Sequence, residues 1–474
     1  MSGLFGTLSG NVKALNVHSR GVETAGRNLA NVNNPNYARQ RVVVGDRGTV
    51  MTPMGPQSMG IEARMTEQLR DRMLDQQVTR EISLTSTLES QQAAYEKAQS
   101  ALGQSISRAQ DSGATNSSSG GQGISESLTD FFTAFQGFAA RPTDVGERQT
   151  LLQKSEILAD RFRITDQRLG QLQTDLTAQM DEDVTKINGI LTTIADLNSQ
   201  IGRLEMNYPG SAADLRDQRQ AKLEELATLM SFETRPSTGS PGQIEVYTKD
   251  GGGAEIQLVD RAVVSGPVTF SGSTLSAGSP STAVALTGGS ILGARDVRDV
   301  AVADLRTQLN ALANQLVTAV NDAYNPTGST GDFFVASGTT ASTIGLASGL
   351  TPTTLKASDG GPAGDNTIAS AVAALANQAF SVSGGDSIDG TFSQFFTKSV
   401  TDLGQKLAGT NTRLNDQQNI EKIVRGHRDA VSGVSMDEEM ADLLKYQRAF
   451  QASSRVITVI DDLLDTLINR TGRT

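Results

Sequence analysis

Apolar residues recur every seven positions near both ends of the chain. Toward the C-terminus Met436, Leu443, Phe450, Ile457 and Leu464 form one row, and Tyr446, Ile460 and Leu467 lie three residues after members of it. Sevens with a second row at plus three draw one narrow apolar stripe on a helix, the kind of seam by which helices pair. Ser435 and Glu438 form a Ser-x-x-Glu capping box that predicts where this helix starts. Near the N-terminus Leu8, Leu15, Val22 and Leu29 repeat the spacing, with Leu4, Ala25 and Val32 in the second row. Asn11 and His18 stand where a coiled coil prefers apolar groups. So narrow a stripe cannot be a core alone. The two ends are candidates for each other; packing of each on the central body is the alternative.

Between the ends the pattern is mostly helical. Pro35 pushes Asn34 out of helical geometry, so the first helix is expected to stop by about Asn31. The asparagines from Asn28 to Asn36 suit a helix end and a turn that tolerates left-handed backbone, with Tyr37 as its anchor. Val42 to Val44 predict a short strand and Gly45 to Gly60 turns. A long helix is expected from Thr66 to about Ser107, then a Ser/Gly loop from Asp111 to Gly123. Leu128, Phe131, Phe132, Phe135 and Phe138 give an aromatic helical face that reads as core. Glu147 to Leu204 and Asp214 to Met230 are again helical, which describes a bundle.

At about Ser231 the texture shifts to Ser, Thr, Gly and Pro with short β runs at 244–247, 256–259, 262–264 and 284–286, predicting a small inserted β module. Helical spacing returns over Val297 to Tyr324. A Gly/Ser/Thr-rich excursion spans Asn325 to Asn366. Helices at Thr367 to Phe380, Phe392 to Ala408 and Leu414 to Arg425 complete the set. The expected fold is mainly α with an inserted β module: an elongated helical bundle whose terminal helices form a coiled coil. Its segments are 1–44 (N-terminal helix and turn), 45–230 and 291–430 (helical body), 231–290 (β module) and 431–474 (C-terminal helix).

Composition changes this picture little. The 474 residues exceed one typical domain, and 37% hydrophobic content with 47 Gly and no Trp suits long helices plus loop-rich β modules. A net charge of −11 and the absence of a Lys/Arg run argue against nucleic acid. Charge does differ between the ends. Residues 1–44 carry Lys13, Arg20, Arg27, Arg39 and Arg41 against Glu23 alone, whereas Asp437, Glu438 and Glu439 open the C-terminal helix, so the ends attract. There is no cysteine for disulfide or thiolate chemistry. The first twenty residues lack a basic start followed by an apolar run, so no cleaved signal peptide is expected, and no stretch is apolar enough to span a bilayer.

Catalytic chemistry has little to stand on. The two histidines, His18 and His427, fall on different helices without a metal-ligand pattern. Gly251 to Gly253 lacks a phosphate-loop lysine and reads as a hairpin turn. The runs at 360–365 and 384–389 resemble calcium nonapeptides only faintly, without tandem repeats, and read as turns. No carboxylate pair marks a glycosidase. No catalytic, cofactor or metal site is expected.

Two stretches carry a family resemblance. Asn28-Leu-Ala-Asn31 followed by Pro35 and Tyr37 resembles the motif of bacterial flagellar rod, hook and hook-associated proteins, with Asn34 where Thr is usual and Asn36 where Gly is usual. Val431 to Glu439, followed by Tyr446-Gln-Arg-Ala-Phe450-Gln-Ala-Ser453, resembles the ending of the hook-associated protein 1 family. Stretches 128–142, 187–201, 214–219 and 305–334 are similar to the same family. The resemblance implies a non-enzymatic structural subunit joining hook to filament, exported by the flagellar type III apparatus and found in the extracellular flagellum. It implies a helical tube of identical copies as partners, with the hook protein, the second hook-associated protein and an export chaperone at the C-terminal segment. The assembly interface would then comprise Leu8, Leu15, Val22, Leu29, Asn28, Asn31, Pro35 and Tyr37 with the C-terminal rows named above. Another flagellar axial protein, or an extracellular protein with a glycan-binding β insert, are the alternatives.

Overall fold

The computed structural model describes residues 2–52, 55–103, 123–328, 331–362 and 364–466. The chain is mainly helical with a β module in its middle, and it divides into two compact units. The first unit comprises Met1–Ser86, Asp183–Gly289 and Asp416–Thr474; the second comprises Thr87–Glu182 and Ser290–Asn415. The divisions fall inside three long helices: α2 (Arg72–Ala101), α4 (Val145–Glu205) and α9 (Phe392–Ser432).

In the first unit, α1 (Ser2–Ala30) ends one residue before Asn31, as the following proline requires. The Asn-rich turn works differently from expectation. Neither Asn34 nor Asn36 has positive φ; instead Asn34 Oδ1 accepts the Asn36 N–H at 3.2 Å, a side chain closing its own turn. The stretch expected to be turns is largely strand: β1 (Gln40–Asp46) pairs antiparallel with β4 (Ile61–Gln68), and between them in the chain β2 (Thr49–Thr52) pairs with β3 (Gly55–Ser58). Thr66 therefore lies in a strand, and the next helix begins only at Arg72. Asp71 Oδ1 fixes that start by accepting the N–H groups of Met73 and Leu74. The helix ends at Ala101, and the remainder of its expected extent beyond 103, with the Ser/Gly loop to 122, lies outside the described residues.

The middle of the chain adds α5 (Ala213–Leu229) and two sheets. One runs in the order β5 (Glu233–Pro236), β6 (Ile244–Lys249), β7 (Glu255–Asp260), β8 (Val263–Val264). The other joins β9 (Thr269–Ser271), β10 (Thr274–Ala277) and β11 (Thr282–Ala283), so Val284 to Leu286 is not a strand. The β6–β7 turn is closed by Asp250 Oδ1, which accepts from Gly252 and Ala254. Below the sheets Val78, Ile82 and Ala227 form a small core with Phe232 and Val424 against it. The unit closes with α10 (Met436–Asp465).

The second unit is organised by aromatic packing. From α3 (Ile124–Ala140), Phe131 and Phe135 are fully buried and meet Phe333 at 6.0 and 5.2 Å between ring centroids, while Phe132 stacks on Phe392 at 5.6 Å. Tyr324, at the end of α7 (Ala303–Tyr324), closes on Phe333 at 5.3 Å. The helix expected from Val297 starts earlier, as α6 (Ser290–Asp296), and passes through a π-helical turn at Val297–Val302 before α7. In the Gly-rich excursion, Asn321 Oδ1 accepts the N–H groups of Phe333 and Phe334 and its Nδ2 donates to Phe334 O, tying the loop to α7. The helix α8 (Thr367–Ala374) stops short of Phe380, which instead bridges Gly390. Two helices were expected after Phe392; α9 is continuous, because nothing between Ala408 and Leu414 breaks it.

Candidate assembly interface

Helices α1 and α10 lie against each other antiparallel, and the rungs of their contact are small or polar. Gly21 sits under Tyr446 so closely that an added Cβ would stand 2.5 Å from the ring. One heptad away on each helix, Asn28 Nδ2 donates to Glu439 Oε2 at 2.9 Å. His18 faces the same tyrosine at 6.5 Å between ring centroids, and burial lowers the pKa of its imidazole. On α10 the buried positions are Glu439, Ser453 and Ile460. With Tyr446 they form a row of sevens. On α1 the buried positions are Val17, Gly21, Thr24, Ala25 and Asn28.

This differs from the rows expected to carry the seam. Leu8, Leu15, Val22 and Leu29 are half-buried on α1, and Leu443, Phe450, Ile457 and Leu464 are half-buried on α10, so these rows flank the contact and do not centre it. Met436, 54% exposed, stands outside it. Tyr446 and Ile460, expected as the second row, belong to the central one, and Leu467 lies outside the described residues. Apolar periodicity could not find the centre because two of its four α10 positions are Glu439 and Ser453. Gly21 was missed because it carries no side chain.

The turn after α1 locks the pair. Asn28 is 1% exposed and uses all four of its hydrogen-bonding positions. Its Nδ2 donates to Gln40 O at 2.8 Å as well as to Glu439, while its Oδ1 accepts from the Gln40 N–H at 3.0 Å and from Tyr37 Oη at 2.8 Å. Burial, with Asp217 and Asp214 nearby, holds the Tyr37 phenol well above its usual pKa, so it remains a donor. Arg39 Nε donates to Glu439 Oε1 at 2.6 Å and Nη1 to Glu438 Oε2 at 2.7 Å. Burial alone would lower the pKa of that guanidinium, but the two carboxylates raise it. Glu438 is thereby drawn from the expected capping box: Ser435 has N-cap backbone geometry but makes no side-chain capping bond. Backbone N–H of Arg39 also donates to Ser432 O at 2.8 Å.

Two further arginines pin the Asn-rich turn. Arg428, buried on α9, donates to Pro35 O at 3.3 Å and to Glu224 Oε1 at 2.6 Å. Arg70 donates to Asn36 O at 3.1 Å and to Asp217 Oδ1 at 2.7 Å. Asn31, half-buried, donates to Arg27 O at 3.0 Å and so serves the end of α1, not the partner helix. Pro35 is exposed except for its carbonyl contact.

The pair leaves apolar surface uncovered. Leu444, Val459 and Leu463 on α10 are 51%, 57% and 50% exposed, and Phe5 on α1 is 54% exposed. Among the described residues no cluster of three or more acids or histidines could hold a metal, and no helix is long and apolar enough to cross a membrane.

Comparison with known proteins agrees with the sequence motifs. Residues 114–334 match the family described as Flagellar hook-associated protein FlgK helical domain, and residues 429–470 match Flagellar basal body rod FlgEFG protein C-terminal. Flagellar hook-associated protein 1 of Bacillus subtilis (strain 168) is 24% identical over 542 residues, spanning 97% of both chains. The proteins of that name from Salmonella typhimurium and Escherichia coli (strain K12) are 22% and 21% identical, each over 97% of this chain and 98% of theirs. A solved structure, the flagellar hook junction protein FlgK from Burkholderia pseudomallei, aligns with TM-score 0.45 at 22% identity, covering 55% of this chain and 46% of that one. A FlgK helical domain followed by a rod-type C-terminal segment defines a flagellar structural protein. Over 97% of its length the chain is similar to proteins of one name, flagellar hook-associated protein 1.

Proposed function

We propose that this chain is a non-enzymatic structural subunit of the bacterial flagellum that joins hook to filament, exported from the cytoplasm and assembled with copies of itself through its terminal helices. The observation that carries the assembly reading is the pairing of the two chain ends into one antiparallel unit whose outer apolar side chains remain exposed. A two-helix pair buries only its inner face, and Val459 and Leu463, one turn apart on α10, then sit in water, as does Leu444 further toward its start. Neighbouring copies covering that face would gain apolar burial at about 25 cal/mol per Å². The hook protein and the second hook-associated protein are the partners above and below, and an export chaperone on the C-terminal segment would mask the same side chains before assembly.

The test is Val459→Asp with Leu463→Asp. Both residues are exposed in the single chain, so melting temperature and helix content are expected to remain unchanged. Attached filaments are expected to disappear, with filament subunits shed into the medium and the variant itself exported. Normal filaments on cells exporting this variant would sink the assembly reading. Loss of export with normal folding would move these side chains to the chaperone contact.

A further inference from the structure

In the first unit, a cavity of about 440 Å³ lies between α1, β4 and the turn that joins α4 to α5. Three arginines line it, Arg20 and Arg27 from α1 and Arg64 from β4, against Asp214. Arg20 is exposed, and its side chain makes no hydrogen bond or ion pair among the described residues. Arg64, also exposed, donates from Nη2 to the backbone oxygen of Asp46 at 3.3 Å and meets no carboxylate among the described residues. Arg27 pairs with Glu23 at 2.6 Å, but both side chains are more than half exposed, and such a surface pair is worth little. Asp214 already accepts from Gln40 Nε2 at 3.3 Å. The lining is cationic, and two of its cations lack a counterion.

Two local features build this surface. The first is a bulge in β4: Met65 pairs with Val43 and Ala63 with Val44, which leaves Arg64 as the extra residue. A bulge re-aims side chains, and here Arg64 and Met65, neighbours in sequence, both line the cavity and are both exposed. The second is Gly210, at φ +82°, where an added Cβ would stand 2.8 Å from Thr66 O. That close approach seats the α4–α5 turn on β4, and the turn presents Tyr208, 74% exposed, with Pro209 beside it. Large apolar groups in water next to uncompensated cations fit a protein segment that is both acidic and apolar better than a small anion.

The end of α10 is such a segment. Val459, Asp462 and Leu463 share one face of the helix, at i, i+3 and i+4, and all three are exposed. The Asp462 carboxylate has no partner among the described residues. The chain's own segment cannot reach the cavity. Gly21 lies under Tyr446 and Asn28 bonds Glu439, a register that puts Asp462 level with Phe5, about 22 Å along the pair from Arg20 at 1.5 Å per residue. We propose that the end of α10 from a second copy of this chain docks here, with Asp462 on Arg20 and Arg64, and Val459 and Leu463 on Met65 and Tyr208. The inference rests on the assembly reading above and adds the surface that receives the helix. Donor and acceptor patches differ, so one such contact leaves an acceptor on one copy and a donor on the other for further copies.

The chain has no cysteine, so introduced thiols report the contact without background. Tyr208→Cys combined with Leu463→Cys, treated in isolated flagella with a short bis-maleimide, is expected to give dimers and higher multimers on a denaturing gel. Either substitution alone is expected to stay monomeric. Charge supplies the second test. Asp462→Arg, or Arg20→Glu with Arg64→Glu, is expected to cut attached filaments at least about tenfold, since like charges then face each other, while export and melting temperature hold. Combining all three is expected to restore attachment, and this rescue decides the matter if the cysteine pair itself prevents assembly. An acidic partner other than this chain would respond to the arginine changes without rescue by Asp462→Arg, and that result overturns the proposal. So do normal filaments on cells carrying either charge reversal, or normal filaments from the cysteine pair without crosslinked multimers. Those outcomes leave the assembly reading standing, because it falls only with normal filaments from Val459→Asp with Leu463→Asp.

Discussion

The aromatic core of the second unit and the terminal helix pair of the first are both helix contacts, yet they are held by opposite means. Phe131, Phe135 and Phe333 exclude water by bulk, so their contact is strong and tolerant of small shifts. Gly21, Asn28, Tyr446 and Glu439 bring little apolar area and instead admit one register. The difference teaches that a contact can be specific without being adhesive. Such a pair suits helices that also have to bind something else.

Phe131→Ala should do most damage. Deleting a fully buried ring costs about 3–5 kcal/mol, and calorimetry is expected to show the second unit melting early while the terminal pair keeps its hydrogen-exchange protection. Asn28→Ala follows. It removes the Asn28 partner of Tyr37 Oη, of the backbone N–H and C=O of Gln40 and of Glu439, at about 1–3 kcal/mol for each group left unsatisfied and buried. Exchange is expected to accelerate in α1 and in the first turns of α10, leaving the aromatic core unchanged. If both regions loosened together, the contrast between them would be wrong. Gly21→Ala, smaller again, places a methyl against the Tyr446 ring and is expected to cost about 1–3 kcal/mol through overpacking, partly relieved by Tyr446→Ala in a double-mutant cycle.

The smallest expected effect is a pH dependence beneath the turn. Burial raises the Asp217 carboxyl from 3.8 to about 6, against the pull of Arg70. A folded-state pKa above the unfolded one means the folded chain holds its proton longer. The stability this group contributes is full below about 3.8 and is lost as pH rises through about 6. The melting temperature of the natural chain minus that of Asp217→Asn is therefore expected to fall between pH 4 and pH 7. A difference that stays flat or rises over that interval would assign the carboxylate to a simple ion pair with Arg70.

What could be foreseen from sequence follows the same division. The Phe face of α3, the apolar run in α4 and the β6–β7 hairpin announce themselves, because bulk, spacing and turn residues leave a periodic trace. The terminal helices do too, as elements. Their centre does not: Glu439 and Ser453 read as polar breaks in the heptad, and Gly21 as nothing. Arg39 counted only in the general charge that draws the ends together, and in the fold it pairs with Glu439 and takes Glu438 from its cap. Of the strands at 40–68 only Val42 to Val44 was legible; glycines and prolines from Gly45 to Gly60 suggested turns, since cross-strand partners such as Gln40 and Gln68 are set by register and not by local propensity. A cavity beside α5, lined by Arg70, Arg72, Arg216, Arg219 and Arg235, was illegible for another reason. Its arginines come from three separate stretches of chain, and nothing in the order of residues says they meet.

The bond between Asn28 and Glu439 joins residues 411 apart in the chain. Nearly the whole polypeptide has to exist, and to have emerged, before that loop can close. A chain delivered end first therefore keeps its earliest helix waiting, while the second unit, whose last residue is Asn415, can be completed beforehand. Closing so long a loop adds little to the equilibrium cost, which grows only logarithmically, but it makes the event late and slow. Arrival of α10 thus becomes a clock: it marks the moment at which both members of the terminal helix pair are present.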